Sequence, residues 1–496
     1  MNRNRRGAAP AAVFPVVLLF ALLLSACAVG PRYVRPAAEV PTGYKEGETA
    51  GDASKPPPST TKLAPPAPGW VSAEPNDAAL RGAWWKVFGD TELDALEDKV
   101  DGSNQTVQIA LAQLRQARAT VEIARSSFFP TVVAGAAASE SLTSANILFR
   151  AQAGRTLPDY AIATSASWEP DLWGKIGHSV ESSRANAQAS LADLEGIRLG
   201  LHAELATDYF NLRGLDAQKD LLDRTIVAYQ EALELTNNRF QGGIASQSDV
   251  AQAQTQLETT QAQDIDVGVL RAQFEHAIAT LIGQPASTFS LPARPLDWSA
   301  PAIPAGLPSG LLQRRPDIAA AERRVAAANE QIGVAQGAFF PDLTLSGSVG
   351  LEASRFANLL SGPSLFWALG PQLVGTLFDG GRRRATVEVT QAQYVAGVAA
   401  YRQTVLSAFQ EVEDNLAALR ILQQEAAKQN EATRSAETSL QLAMNRYQTG
   451  IAGYLDVIAA QSVALSNERV QVDLARRQAD ASVALIKALG GGWGSP

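Results

Sequence analysis

One stretch of this chain occurs twice. Arg239-Phe240-Gln241-Gly242-Gly243-Ile244-Ala245, followed by Asp249-Val250, returns 207 residues later as Arg446-Tyr447-Gln448-Thr449-Gly450-Ile451-Ala452 with Asp456-Val457. Other landmarks recur in the same order: Phe128-Phe129-Pro130 matches Phe339-Phe340-Pro341, and Ile282-Gly283 matches Leu489-Gly490. A unit of roughly 200 residues present twice leaves an unburied face on each copy, so such units stack into a ring or tube.

The ends set the compartment. Arg3, Arg5 and Arg6 precede an apolar run from Ala11 to Leu24 that closes on Ser25-Ala26-Cys27. The run is short for a bilayer span and has the order of a removable export signal, assigned to residues 1–26. Cys27 is the single cysteine, so no disulfide forms within the chain. Its place after Leu-Ser-Ala resembles a bacterial lipobox, which implies a lipid-modified, palmitate-bearing thiol at the mature N-terminus. Residue 28 is Ala and not Asp, and by the resemblance to sorted lipoproteins the absence of an acidic second residue implies the outer membrane as destination. Loss of the signal takes the balance from 42 basic against 50 acidic residues to 39 against 50, net eleven negative. Nucleic acid is an improbable partner for that charge. An acidic balance is otherwise a solvated surface, or a lumen that favours cations.

Residues 27–90 form a Pro-rich, lipid-anchored segment, readable as a strap along the body or as a disordered linker. Repeat 1 is assigned to 91–290, repeat 2 to 291–490, and a C-terminal tail to 491–496. In each repeat a helix comes first, Thr91 to about Ser127 and Asp317 to about Ala338, stopped by Pro130 and Pro341. Strands follow. Leu343, Leu345, Gly347, Val349 and Leu351 alternate with Thr344, Ser346 and Ser348, and Tyr160 to Trp168 alternates with an aromatic residue at each end. Trp367–Leu377 and the Ala- and Gly-rich Thr131–Ser139 are their partners. Strands of about 10 residues suit a tilted membrane crossing. Four of them cannot close a barrel, and an open edge in lipid leaves unpaired backbone groups at several kcal/mol each, so identical neighbours must supply strands. The alternative is a soluble four-stranded sheet.

Very long helices come next, Lys175 to about Phe240 and Arg382 to about Tyr447, each with a return helix of about 35 residues. Ile451, Leu455, Ile458, Leu465, Val472, Ala479, Val483 and Ile486 are spaced as a seam for partner helices. Ala- and Gln-rich stretches such as Ala251–Gln263 fit a thin wall wetted on both sides, although an ordinary coiled coil has the same pattern. Three histidines at unrelated spacing make a metal site improbable. There is no phosphate loop, nucleophile elbow or zinc-protease motif. Carboxylates such as Glu411, Glu413 and Asp414 read as a solvated helix face. No enzyme activity and no cofactor are expected.

Trp84-Trp85 with Phe88 and Asp90, Asp171-Leu172-Trp173-Gly174-Lys175, Leu312-Gln313-Arg314-Arg315-Pro316-Asp317-Ile318, Phe339-Phe340-Pro341 and Leu377-Phe378-Asp379-Gly380-Gly381 together resemble the TolC-like outer-membrane efflux family, in its NodT-type lipoprotein branch. The resemblance covers almost the whole mature chain. It implies a mainly α protein with a transmembrane β part: a homotrimer whose twelve-stranded β-barrel continues into a long periplasmic helical barrel. It further implies a passive exit duct for small toxic compounds, with a periplasmic adaptor (membrane fusion) protein and an inner-membrane pump of the resistance-nodulation-division class as partners. The glycine turns then correspond to adaptor-contacting tips, Gly242-Gly243-Ile244 and Thr449-Gly450-Ile451, and Asp249, Tyr447 and Asp456 to the periplasmic gate. Ala452 and Ala459 stand where some members carry a gate arginine and a second acidic ring. A ring of Asp456 carboxylates would attract cations. Plain turns, N-terminal capping by Asp249 and Asp456, and packing by Tyr447 are the structural alternatives. An exit duct for a secretion system and a non-conducting coiled-coil lipoprotein are the competing functions.

Overall fold

The computed structural model describes residues 29–46, 82–146, 151, 153–303, 306 and 308–491. The signal segment, Cys27, most of the Pro-rich segment and the last five residues lie outside the described residues. The elements repeat in order. Helices α1 (Thr91–Ser103) and α2 (Gln105–Ser126) lead into strands β1 (Thr131–Leu142) and β2 (Thr156–Trp168), then α3 (Lys175–Gln241) and its return α4 (Gln247–Leu281). Helix α5 (Pro316–Gly337) leads into β3 (Asp342–Ala353) and β4 (Leu365–Val374), then α6 (Arg382–Gln448) and its return α7 (Tyr454–Ala488). The chain divides into two compact units: residues to 36 with 114–189 and 321–401, and 37–113 with 190–320 and 402 onward. Helices α3 and α6, each of 67 residues, contribute to both. At 1.5 Å per residue each rises about 100 Å.

The first unit holds one antiparallel sheet in the order β1-β2-β3-β4. Its register sorts the side chains. Val132 pairs with Ala166 and Ala136 with Ile162; Thr164 pairs with Val349 and Trp168 with Leu345; Val349 pairs with Trp367 and Gly347 with Leu369. Directly opposed residues share a face, so one face carries Val132, Ile162, Trp168, Leu343, Val349, Trp367, Leu369 and Leu373. The other carries Ser139, Ser165, Ser167, Thr344, Ser346, Ser348 and Gln372. Trp367 is 74% exposed and Leu369 80%, so the apolar face is uncovered in the single chain. Trp168 ends β2, but the strand starts at Thr156, four residues before Tyr160, so Tyr160 stands inside it on the same face, about 27 Å from Trp168 at strand rise. The Ala- and Gly-rich β1 pairs in full despite its weak alternation, and β4 begins two residues earlier than the pattern predicts.

At the lower end of the sheet the sequence motifs start helices. Asp171 accepts the amides of Ile176 (3.0 Å) and Gly177 (2.7 Å) at the head of α3, and Asp379 accepts those of Gly381 (3.0 Å) and Arg383 (3.2 Å) at the head of α6. Trp173 stacks on Phe340 at 4.8 Å and donates to the Pro341 carbonyl at 2.9 Å. The segment after Cys27 is laid on this unit: the Val29 amide donates to the Trp173 carbonyl, Asn329 to Pro31, and the Tyr33 hydroxyl to Glu322.

The second unit has a core of Trp84, Trp85, Leu93, Leu205, Tyr209, Phe210, Ile278, Val483 and Ile486. Here Asp90 caps α1, accepting from Glu92 and Leu93, and receives the Tyr209 hydroxyl at 2.7 Å. Fully buried Arg213 donates to Glu92, Asp216 and the Pro292 carbonyl, while Arg271 grips Asp216 and Leu291. His202 stacks on Trp85 and lies 2.6 Å from Glu97. Burial pushes Glu97 up to about 7; against burial, hydrogen bonds that its ring donates to Asp101 and Glu97 push His202 up to about 9.

Three expectations change. The first helix is two, because the side chain of Asn104 accepts from Thr106 and Val107 and caps a new start. Glu411 and Glu413 are not merely solvated: Glu411 pairs with buried Arg315 at 2.6 Å, and Glu413 accepts the amides of Lys45 and Glu46, so residues 37–46 do lie on the body as a strap. The α7 seam is displaced near its start, where Tyr454, Val457, Gln461 and Ala464 are buried and Leu455 is exposed; Ala479, Val483 and Ile486 are buried as expected.

Candidate functional site at the paired hairpin tips

The repeated heptapeptide forms the turn between α3 and α4 (tip 1) and between α6 and α7 (tip 2). Both are the same C-cap. In tip 1 the Ile244 amide donates to the Arg239 carbonyl and Gly243 to Phe240; in tip 2 Ile451 donates to Arg446 and Gly450 to Tyr447. This bond pair requires a left-handed residue just past the helix, supplied by Gly243 (φ 71°) and Gly450 (φ 78°). Gly242, Gly243, Ile244, Thr449, Gly450 and Ile451 are all exposed, and Ile244 and Ile451 each stand 71% free. Two small apolar knobs therefore project past the helix ends.

Tyr447 is buried between the two tips. Its hydroxyl donates to Thr236 at 3.2 Å, its ring lies 5.3 Å from Tyr454, and the Arg239 guanidinium sits 4.5 Å above it. Arg239 also donates to the Tyr447 carbonyl at 2.7 Å and to that of Gln448 at 3.3 Å, so a side chain of tip 1 satisfies the open carbonyls at the end of α6. Burial, then the neighbouring Tyr447 and Tyr229, push the Tyr454 hydroxyl up to about 12, so Tyr454 stays un-ionised near pH 7.

The carboxylates play different parts. Asp249 and Ser246 form a reciprocal capping box at the start of α4: the Ser246 amide donates to Asp249 at 2.8 Å, and the Asp249 amide to the Ser246 hydroxyl at 3.2 Å. Asp456, at the matching position of α7, faces Gly453 and gains no such bond; it is exposed and has no side-chain partner among the described residues. Within one chain the structure brings Tyr447 to tip 1, and neither Asp249 nor Asp456 bonds to it among the described residues. Ala452 is half-buried and Ala459 exposed. Sequence reading passed over Arg239 as a functional residue; the signal was the Asn-Arg-(Phe/Tyr)-Gln preceding both turns.

With two equivalent hairpins and a one-sided sheet in place, known proteins can be compared. A family model described as outer membrane efflux protein matches residues 97–284 and 307–491. This chain belongs to the outer membrane efflux protein family. It is the outer-membrane channel component of an efflux pump, a transport protein rather than an enzyme, and its place is the outer membrane. The family members it resembles include the pyoverdine export outer membrane protein OpmQ of Pseudomonas putida, 34% identical over 89% of this chain and 94% of that protein. Outer membrane protein OprJ of Pseudomonas aeruginosa is 31% identical over 96% of this chain and 95% of its own. Among solved structures, the outer-membrane channel OprN aligns with a TM-score of 0.82 at 29% identity, over 94% of this chain and 100% of that one. The open-state MtrE channel of Neisseria gonorrhoeae aligns with a TM-score of 0.78 at 28% identity, over 94% and 98%. The two matched segments of the family model fall one on each repeat.

Proposed function

We propose that three copies of this chain pool their strands into one β-barrel that crosses the outer membrane, and that the joined helices carry a passive duct into the periplasm. The observation that supports this reading is the open sheet: β1 and β4 are unpaired at their outer edges among the described residues, and one face is mostly apolar and uncovered. In lipid the apolar face is at rest, but each unpaired backbone group on those edges costs several kcal/mol. Joining β4 of one copy to β1 of the next removes both edges, and three copies with four strands each give twelve. The polar, small-residue face then lines the lumen.

Cys27 carries a lipid that adds a second tether beside the barrel; a single chain alone holds a membrane weakly. The exposed knobs of Ile244 and Ile451 dock into a groove between helices of a periplasmic adaptor. An inner-membrane pump of the resistance-nodulation-division class drives small toxic compounds through. The periplasmic gate lies at the tips, with Asp249, Tyr447 and Asp456 around it. Asp456, with no side-chain partner among the described residues, faces the lumen and favours cations.

Native mass spectrometry of the detergent-extracted protein, with planar-bilayer recordings on the same sample, tests the reading. A trimer that conducts is the expected outcome; a folded monomer without conductance contradicts it.

A further inference from the structure

The two tips of one chain are joined by a contact that runs one way. Arg239 of tip 1 caps the carbonyls of Tyr447 and Gln448 and covers the Tyr447 ring. Its equivalent in tip 2, Arg446, is exposed and its guanidinium has no partner among the described residues. The receiving side shows the same asymmetry. The equivalent of Tyr447 in tip 1 is Phe240, whose ring is 43% exposed. A Cβ on Gly450 would meet the Arg239 guanidinium at 3.8 Å, whereas nothing lies within 4 Å of one on Gly243. One guanidinium is idle, one matching receiving surface lacks a guanidinium, and the backbones that carry them make the same turn bonds.

We propose that Arg446 seats on tip 1 of a second copy of this chain, donating to the carbonyls of Phe240 and Gln241 and lying over the Phe240 ring. The occupant is fixed by the repeat. The surface that receives Arg239 within a chain recurs only at the other repeat's tip, and that surface is already free in a neighbour. Junctions within and between chains then alternate around the tips. The inference rests on the closure by copies proposed above.

The between-chain junction is made of weaker parts. The Thr236–Tyr447 hydroxyl pair is replaced by Ala443 against Phe240, and the buried Tyr454 by Gln247. Ala232, buried with Tyr447 and Tyr454, is replaced by Ser439. Fewer apolar contacts and one lost hydrogen bond leave Arg446 as the principal polar tie across that seam, where a guanidinium bonding carbonyls while covering a ring keeps its strength best away from water.

Photo-crosslinking on the full-length protein in outer membranes tests it. p-Benzoyl-phenylalanine replaces Arg446 in one variant, Arg239 in a second and Phe240 in a third, and native mass spectrometry reports the assembly of each. The probe at 446 is expected to give covalent dimers and trimers on denaturing gels, with adducts in residues 238–243 of another copy. The probe at 239 is expected to give adducts within its own chain at monomer mobility. The probe at 240, expected to reach residue 446 of a neighbour, covers the case in which the first variant fails to fold. Trimers in which the probes at 446 and 240 give only within-chain adducts, or adducts elsewhere, overturn the inference and leave the trimer standing. Folded monomers overturn both.

Discussion

The two repeats reach the same backbone by different chemistry. In each, the left-handed glycine that ends the return helix packs on the start of the helix leading to the strands: Gly283 on Ser103, and Gly490 on Arg314. Repeat 1 ties this joint with Asn104, whose amide donates to the Leu281 carbonyl at 2.8 Å while its oxygen caps α2. Repeat 2 ties it with Arg315, which forks onto Asp317 and Glu411 and donates to the Ala488 carbonyl at 3.1 Å. The pattern extends along the helices. Arg213 of α3 is buried against Glu92 and Asp216, whereas Arg420, in the same register of α6, holds Glu46 of the N-terminal strap. The backbone joint is what the duplication keeps. Side chains diverge according to what each repeat must cover, and among the described residues the strap at that level lies on repeat 2.

If the glycine joints are the shared element, substitutions there should be the most damaging. A Cβ on Gly283 would stand 2.3 Å from the Ser103 carbonyl oxygen, and one on Gly490 2.9 Å from that of Arg314. Gly283→Ala combines backbone clash with left-handed strain, roughly 3 kcal/mol, and Gly490→Ala about 2 kcal/mol. Thermal unfolding in detergent checks the order; equal, small losses would break the comparison. The ties come next. Arg315→Ala removes a buried charge whose partners are half exposed and can rehydrate, about 2 kcal/mol. Asn104→Ala loses a cap and strands one carbonyl, about 1 to 2 kcal/mol.

The His202–Glu97 pair gives repeat 1 a pH effect with no equivalent in repeat 2, where Phe409 is the counterpart of His202. The folded pKa of His202 is raised, so its contribution is complete below its ordinary value near 6.5 and is lost as pH rises to about 9. Raised Glu97 acts in the same direction, losing its contribution between its ordinary value near 4.5 and about 7. Stability should therefore fall on raising the pH across this span, by on the order of 2 kcal/mol, and a Glu97→Gln, His202→Phe double variant should flatten the profile. A profile unchanged by the double variant would remove the pair as its source.

The smallest effects separate the tips. Asp249→Ala breaks a capping box and should cost about 1 kcal/mol, seen as faster amide exchange at the start of α4. Asp456→Ala should leave exchange in α7 unchanged and lower cation preference in planar bilayers. Unchanged preference would remove Asp456 from the gate.

Much of this was legible in the residues. Proline after Phe-Phe, period-two alternation and the repeated glycine turn placed strands and tips within a few residues, because each depends on local backbone chemistry. The break at Asn104 was hidden, since an asparagine inside a helical pattern reveals its capping role only when Leu281 arrives to receive its amide. The burial of Tyr447, the cap formed by Arg239 and the work of Glu411 and Glu413 depend on partners hundreds of residues away or in the opposite hairpin. The stripe on α7 was displaced because a helix in a thin wall has more than one apolar side, and periodicity alone does not say which side its own chain covers.

The central claim is that β1 and β4 complete each other between copies. Cysteine pairs scanned along β1 and β4, oxidised in native outer membranes, address it most directly, since the single natural cysteine lies outside both strands. The account predicts inter-chain disulfides at one register and a covalent ladder that ends at three. Disulfides confined to single chains, joining β1 to β4 of the same copy, would contradict it.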